Sequence, residues 1–222
     1  MRISHKYQFV FLSNPRTGST SIRKILDKYA DIKSILITDT SDDFPFYHHI
    51  PATELKRIFD QNGWKWDNYH RFCIVRNPFT RVVSLYQHYK KMYYGKYYYQ
   101  LNTIDKITNL LKKKSNSCLS FKEYVQSINP KSKLTTTLTN FISDDEGNFL
   151  VDNILRFEKL QEELPKHLKS IGITIKPEEI PRLNTSETTS YKKFYDNETK
   201  QKVSEIYRYE IERFNYEFDS IR

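Results

Sequence analysis

The stretch from Tyr7 to Leu26 limits what this chain can fold into more than any other. It opens on Tyr7-Gln8-Phe9-Val10-Phe11-Leu12, an aromatic and β-branched run that predicts a buried strand over residues 7–14. Asn14-Pro15 is a turn dipeptide. Thr17-Gly18-Ser19-Thr20-Ser21 follows, and then Ile22, Ile25 and Leu26 recur at helical spacing, predicting a helix over residues 19–29. Strand, small-residue loop and helix together aim backbone N–H groups and a helix N-terminus at one point, where the helix dipole favours a phosphate. The same residues also fit a plain Gly/Ser turn that holds no ligand. A nucleoside-triphosphatase loop reads G-x-x-x-x-G-K-[ST]. Here Ser19 follows Gly18, and the cation, Arg16, precedes the glycine, so ATP hydrolysis fits poorly.

The bulk numbers narrow the setting. A chain of 222 residues is long enough for one α/β domain with a sizeable core, and a single domain over 1–222 is expected. Gly occurs only 5 times, which makes Gly18 a placed residue rather than an incidental one. Cys73 and Cys118 give no disulfide framework, and Cys73 lies in an apolar run as a core residue would. A reduced, cytoplasmic setting follows as the expectation. No signal core precedes Asn14-Pro15, and no stretch approaches membrane-spanning length, so stable membrane insertion is not expected. Net charge is +9, and residues 81–114 carry eight Lys/Arg against one acid. That stripe fits either an anionic partner or a solvated basic surface.

Further along, residues 33–38 predict a weak second strand, residues 39–47 a loop, and residues 51–61 a helix with Pro51 in its first turn. Phe72-Cys73-Ile74-Val75 reads as a strand buried on both faces, and Pro78 can open a helix directly after it. Arg76 then stands at the strand's carboxyl end and Ser84 two turns into the helix. Because ligands of open α/β sheets sit beyond the carboxyl ends of the strands, Arg76 and the first loop should share one edge. Residues 121–128 predict a short helix, 153–157 a strand, and 158–170 a helix bent at Pro165. Residues 177–190 predict a loop placed to cover a cofactor, and 197–218 one closing helix. Residues 135–139 are hydroxyl-rich and uninformative, and the Tyr/Lys-rich run 92–114 belongs to no motif.

Two of these stretches together resemble sulfotransferases that use 3′-phosphoadenosine 5′-phosphosulfate (PAPS), particularly the group containing the carbohydrate sulfotransferases. Asn14-Pro15-Arg16-Thr17-Gly18-Ser19-Thr20-Ser21 is similar to that family's 5′-phosphosulfate loop, P-[KR]-x-[AG]-[ST]-[ST]-S. Arg76-Asn77-Pro78-Phe79-Thr80-Arg81-Val82-Val83-Ser84 matches its 3′-phosphate element, Arg-Asn-Pro-x-x-Arg-x-x-Ser. Three further segments extend the likeness: His48-His49 ahead of a helix, Arg156-Phe157-Glu158-Lys159-Leu160, and Glu210-Ile211-Glu212-Arg213-Phe214-Asn215-Tyr216 near the end. The loop cation, often Lys in the family, is Arg16 here, a planar fork that grips phosphate bidentately.

The resemblance implies an α/β fold, with a central mostly parallel sheet flanked by helices and a phosphate loop. It implies in-line sulfuryl transfer from PAPS to an acceptor hydroxyl, a glycan or small molecule, leaving adenosine 3′,5′-bisphosphate (PAP), with neither metal nor nucleic acid required. Arg16, Thr17, Gly18, Ser19, Thr20 and Ser21 would hold the 5′-phosphosulfate, with Arg16 also acting at the leaving oxygen, while Arg76 and Ser84 would hold the 3′-phosphate. The base is expected to be His49, with His48 as the alternative and a carboxylate or activated acceptor as the third possibility; an unperturbed imidazole titrates near pH 6 to 7. A phosphotransferase on a related loop and a non-catalytic polyanion-binding protein are the competing classes.

Overall fold

A computed structural model describes residues 1–94, 118–180 and 191–219. In chain order its elements are β1 (Arg2–Ser4), β2 (Phe9–Leu12), α1 (Ser19–Leu26), β3 (Ile32–Lys33), α2 (Ala52–Gln61), β4 (His70–Val75) and α3 (Pro78–Tyr94). There follow α4 (Phe121–Gln126), α5 (Leu138–Ile142), β5 (Asn153–Arg156), α6 (Leu160–Ser170), α7 (Asn197–Ile206) and α8 (Arg208–Phe214). The sheet order is β3-β1-β2-β4-β5. β2, β4 and β5 run parallel, with Leu12 opposite Cys73 and Val75 opposite Arg156, while β1 lies antiparallel to both β2 and β3. The sheet is therefore mixed, parallel in the three strands that carry the site.

Strand alternation sorts the core into two layers. Phe9, Phe11, Phe72, Ile74 and Leu155 face one side, where Ile22, Ile25 and Leu26 of α1 and Leu160, Leu164 and Leu168 of α6 cover them. Val10, Leu12, Cys73 and Val75 face the other, under Leu55, Ile58 and Phe59 of α2 and Leu138, Phe141 and Ile142 of α5. Covering both faces is what lets β2 and β4 be apolar without a break. Cys73 is buried, as its run predicts, and burial raises its thiol pKa. A third cluster joins α3, α4 and α7 through Val82, Tyr86, Phe121 and Val203.

Several expectations are corrected. The strand expected over 33–38 is confined to Ile32–Lys33; Ile35 makes a single bridge to Tyr47, and Ile37–Asp39 is a 3-10 turn. Leu36 and Ile37 are more than half and half exposed, so among the described residues no layer packs on them to reward a longer strand. The bridge has a consequence: His48 N–H donates to Ile35 O, fixing the chain just ahead of the histidine pair. Pro51 caps α2 from outside rather than opening it. The closing helix is two helices, α7 and α8, broken at Tyr207, whose fully buried ring donates its hydroxyl to Thr135 O at 2.8 Å. Within residues 135–139 the chain starts a helix, α5, capped by the Thr137 hydroxyl. α6 begins at Leu160, because the preceding residues Phe157–Lys159 form a 3-10 turn. Pro165 lies inside α6. Of the run 92–114 the first three residues end α3 and the rest lie outside the described residues; of the loop expected at 177–190, Pro177–Glu179 is a 3-10 turn and 181–190 lie outside them.

Candidate active site

The first loop leaves β2 at Leu12 and enters α1 at Ser19. Arg16 and Gly18 both adopt left-handed backbone, at φ 61 and φ 77, flanking Thr17. Gly18 takes that conformation without penalty, but Arg16 does not, so the surrounding contacts must hold it there. They do. Thr17 is fully buried and its hydroxyl donates to Asn14 O at 2.8 Å. Arg81, 2% exposed, donates from Nε to Pro15 O at 3.0 Å and from Nη2 to Asn14 Oδ1 at 3.3 Å and Thr136 O at 2.9 Å. Its guanidinium also stacks on Tyr207, at 5.5 Å from the ring centroid. One buried cation thus ties the loop to α3, to the segment before α5 and to the α7–α8 break. Alternating left-handed residues ahead of a helix N-terminus form a concave N–H surface suited to an anion.

The predicted cationic residues meet around this loop. Arg16 donates from Nε and Nη2 to Ser84 Oγ at 3.1 and 3.0 Å. Arg76 follows β4 directly, donates from Nη1 to Arg16 O at 3.3 Å and from Nε to Thr80 Oγ1 at 3.1 Å, and lies over the Phe157 ring at 4.6 Å. Arg16, Arg76 and Ser84 are therefore brought together at the carboxyl ends of β2 and β4, as the sequence predicts. Ser19 is buried at the start of α1, Thr20 is exposed, and Ser21 closes the first turn by donating its N–H to Gly18 O.

The remaining motif residues build the frame. Asn77 N–H donates to Glu158 Oε1 at 2.8 Å, and Tyr216 donates its hydroxyl to Glu158 Oε2 at 2.9 Å. Asn77 Nδ2 donates to Glu217 O, and its Oδ1 accepts from Phe79 N–H at the opening of α3. Glu158, Asn77 and Tyr216, distant in sequence, therefore lock the start of α3 as one unit. Glu210, 2% exposed, accepts from Leu138 N–H at 2.6 Å, and burial raises its pKa.

His49 comes from the other side. Its Nδ1 lies 2.7 Å from Ser13 O, the carbonyl that precedes the loop. A carbonyl only accepts, so Nδ1 carries the proton and Nε2 keeps its lone pair. Burial, opposed by that hydrogen bond but reinforced by the nearby Arg23 charge, lowers the His49 pKa to about 4. His48 is lowered to about 4 as well, by burial and then by Arg23, but its Nδ1 shares a 2.9 Å hydrogen bond with Ser34 Oγ at the sheet edge. Both imidazoles are thus neutral near pH 7, below the titration range expected from sequence. Arg23 itself is 7% exposed, its Nη1 has no hydrogen-bond partner, and burial lowers its pKa to about 10.

Sequence reasoning missed three contributors: the Ser13 carbonyl, Arg81 and Thr136. Arg81 was legible as the second arginine of its motif; Ser13 and Thr136 act through backbone carbonyls, which leave no residue-type signal. Among the described residues no group of three or more His, Cys, Asp or Glu side chains is placed to hold a metal ion, and no helix is long and apolar enough to cross a membrane.

Comparison with known proteins adds the family. An uncharacterized protein of Archaeoglobus fulgidus is 34% identical over 133 residues, 58% of this chain and 87% of that protein. A crystal structure of mouse sulfotransferase SULT7A1 complexed with PAP aligns with 14% identity and a TM-score of 0.40, covering 96% of this chain and 87% of that one. A likeness that weak says nothing about ligand or acceptor. The model of the sulfotransferase family matches residues 1–217, the two arginine-bearing loops and the frame that holds them included, and the chain belongs to that family.

Proposed function

We propose that this single-domain sulfotransferase moves a sulfuryl group from PAPS to a hydroxyl of a carbohydrate, with His49 as the base. When bound, PAPS supplies the sulfuryl group and the leaving 5′-phosphate. The residues present fit it: a concave run of loop N–H groups at the start of α1, with two arginines and a serine beside it. In this scheme the N–H groups of residues 17–20 and the Ser21 hydroxyl take the 5′-phosphosulfate, and Arg16 neutralises the charge that develops on the leaving oxygen. Arg76 and Ser84 take the 3′-phosphate. Ser84 then exchanges the Arg16 guanidinium for the phosphate, which releases Arg16 toward the loop. The acceptor oxygen gives its proton to His49 Nε2 as its bond to sulfur forms and the bond from sulfur to the phosphate oxygen breaks.

The observation that carries the assignment of the base is the contact of Nδ1–H with Ser13 O, which leaves Nε2 basic and ties the imidazole to the loop itself. His48, bonded to Ser34 instead, lacks that tie. Free Cys73 and Cys118 suit a reducing compartment, and we place the reaction in the cytoplasm. Thermal shift with PAP, AMP and ATP–Mg tests the nucleotide. PAP should raise the melting temperature most, since only it offers a 3′-phosphate. A larger shift with ATP–Mg would refute PAPS as the donor.

A further inference from the structure

We infer that the cavity beside His49 selects acceptors that carry an anionic group within one ring of the reacting hydroxyl. The inference rests on sulfuryl transfer at His49. The cavity has a volume of about 230 Å³, and its walls include His49, Thr136, Asn140 and Phe141, with Lys131 and Lys133. Among the described residues its lining carries two lysines and no carboxylate. At that size, below the ~300–1,000 Å³ of pockets that take drug-sized ligands, it admits one ring or a short terminal group rather than a chain.

One of these cations is held in place by its neighbours. Lys133 Nζ donates to Tyr47 OH at 2.8 Å and lies 4.4 Å from that ring's centroid. Tyr47 in turn donates to Glu54 Oε2 at 2.6 Å, and its ring is buried. This chain holds the ammonium at the cavity while the carboxylate stays two links away. Among the described residues neither lysine has a carboxylate partner of its own. The acids of the adjoining turn are engaged elsewhere: Asp145 pairs with Arg57, and Asp144 accepts from the N–H groups of Glu146 and Asn148. Phe141, buried in the core, backs the cavity, and Thr136, whose carbonyl accepts from Arg81, ties the cavity to the phosphate loop. An acceptor ring seated here shares the cavity with the neutral His49 imidazole and with two lysines. That arrangement suits a carboxylate-bearing sugar or phenol better than its neutral counterpart.

The test is a binding titration by NMR, run with and without saturating PAP, on two matched pairs. Methyl β-D-glucuronide is compared with methyl β-D-glucoside, and 4-hydroxybenzoate with 4-hydroxybenzyl alcohol. Two solvated ion pairs should make the acid of each pair bind about three- to thirtyfold more tightly. The preference should shrink in ~0.5 M salt and fall toward one in the Lys131→Gln/Lys133→Gln double variant. Retained thermal stabilisation by PAP shows that this variant is folded. Equal binding within both pairs, binding of no acid at all, or a preference unchanged in the double variant would each overturn the inference. A preference confined to the phenols leaves the anion selectivity standing and removes the carbohydrate acceptor. If PAP fails to stabilise wild type while the acids still bind preferentially, the PAPS donor is what falls.

Discussion

The two halves of the site solve opposite electrostatic problems. On the proposed nucleotide side, exposed Arg16 donates to Ser84 and half-buried Arg76 donates to the Arg16 carbonyl, and a guanidinium is a permanent cation. On the proposed acceptor side, His48 and His49 are desolvated next to Arg23 and are neutral near pH 7. A few residues of backbone separate the two, because Ser13, whose carbonyl holds His49, directly precedes Asn14, which Arg81 clamps. In the proposed scheme this difference lets one loop serve an anion and a base together, with the cations wet and the imidazoles dry. Arg23 sharpens the division: it is a buried cation whose field disfavours a second positive charge on either ring.

The largest expected effect lies on the neutral side. His49→Ala should lower kcat by roughly 10²–10⁴-fold and leave PAP affinity near wild type by calorimetry. His48→Ala should stay close to wild type. The reverse pattern moves the base by one residue, and two active variants remove imidazole from the mechanism. Next comes the cationic side. Arg76→Ala should weaken PAP binding by about 10- to 100-fold, the size of a lost hydrogen-bonded charge contact. Arg16→Ala should lower both PAP affinity and kcat, because its cation is aimed at the leaving oxygen; an effect on affinity alone would confine it to binding.

Arg81→Met tests the clamp between the halves. It leaves the acceptor oxygens of Asn14, Pro15 and Thr136 without their donor, and should cost about 1–3 kcal/mol of stability in urea denaturation. PAP affinity should fall with it, since the left-handed loop loses its brace. A variant that is destabilised yet binds PAP normally would detach the loop's shape from Arg81.

The smallest effect is in pH dependence. With His49 at about 4, the acid limb of kcat/KM should lie near pH 4, well below the 6 to 7 of an unperturbed ring. Stability should follow the same groups. His48, His49 and His167 all have pKa values lowered from 6.5 to about 4, so between those values the unfolded chain binds more protons than the folded one. Their contribution is fully present above about pH 6.5 and is lost as pH falls toward 4. Thermal melts from pH 8 to 4 measure it; a melting temperature flat over that window would mean that the rings are solvated.

By itself the sequence determined the strand–loop–helix at residues 9–26 and the β4–Arg76–α3 turn. It could do so because each feature is local. Alternation of Phe9, Val10, Phe11 and Leu12 marks a strand covered on both faces, and Gly18 marks a backbone conformation open to few other residues. What it left undetermined depended on partners far along the chain. The 197–218 helix breaks because Tyr207 is drawn to Thr135 O; the strand expected over 33–38 joins the sheet only where β1 offers Arg2 and Ile3 as partners; the Glu158–Asn77–Tyr216 lock joins three separate segments. Only the tertiary structure decided which nitrogen of His49 holds a proton, since that follows from a carbonyl 36 residues away. Only it decided that the ring is neutral, because desolvation comes from the neighbours that packing brings and not from the residue itself.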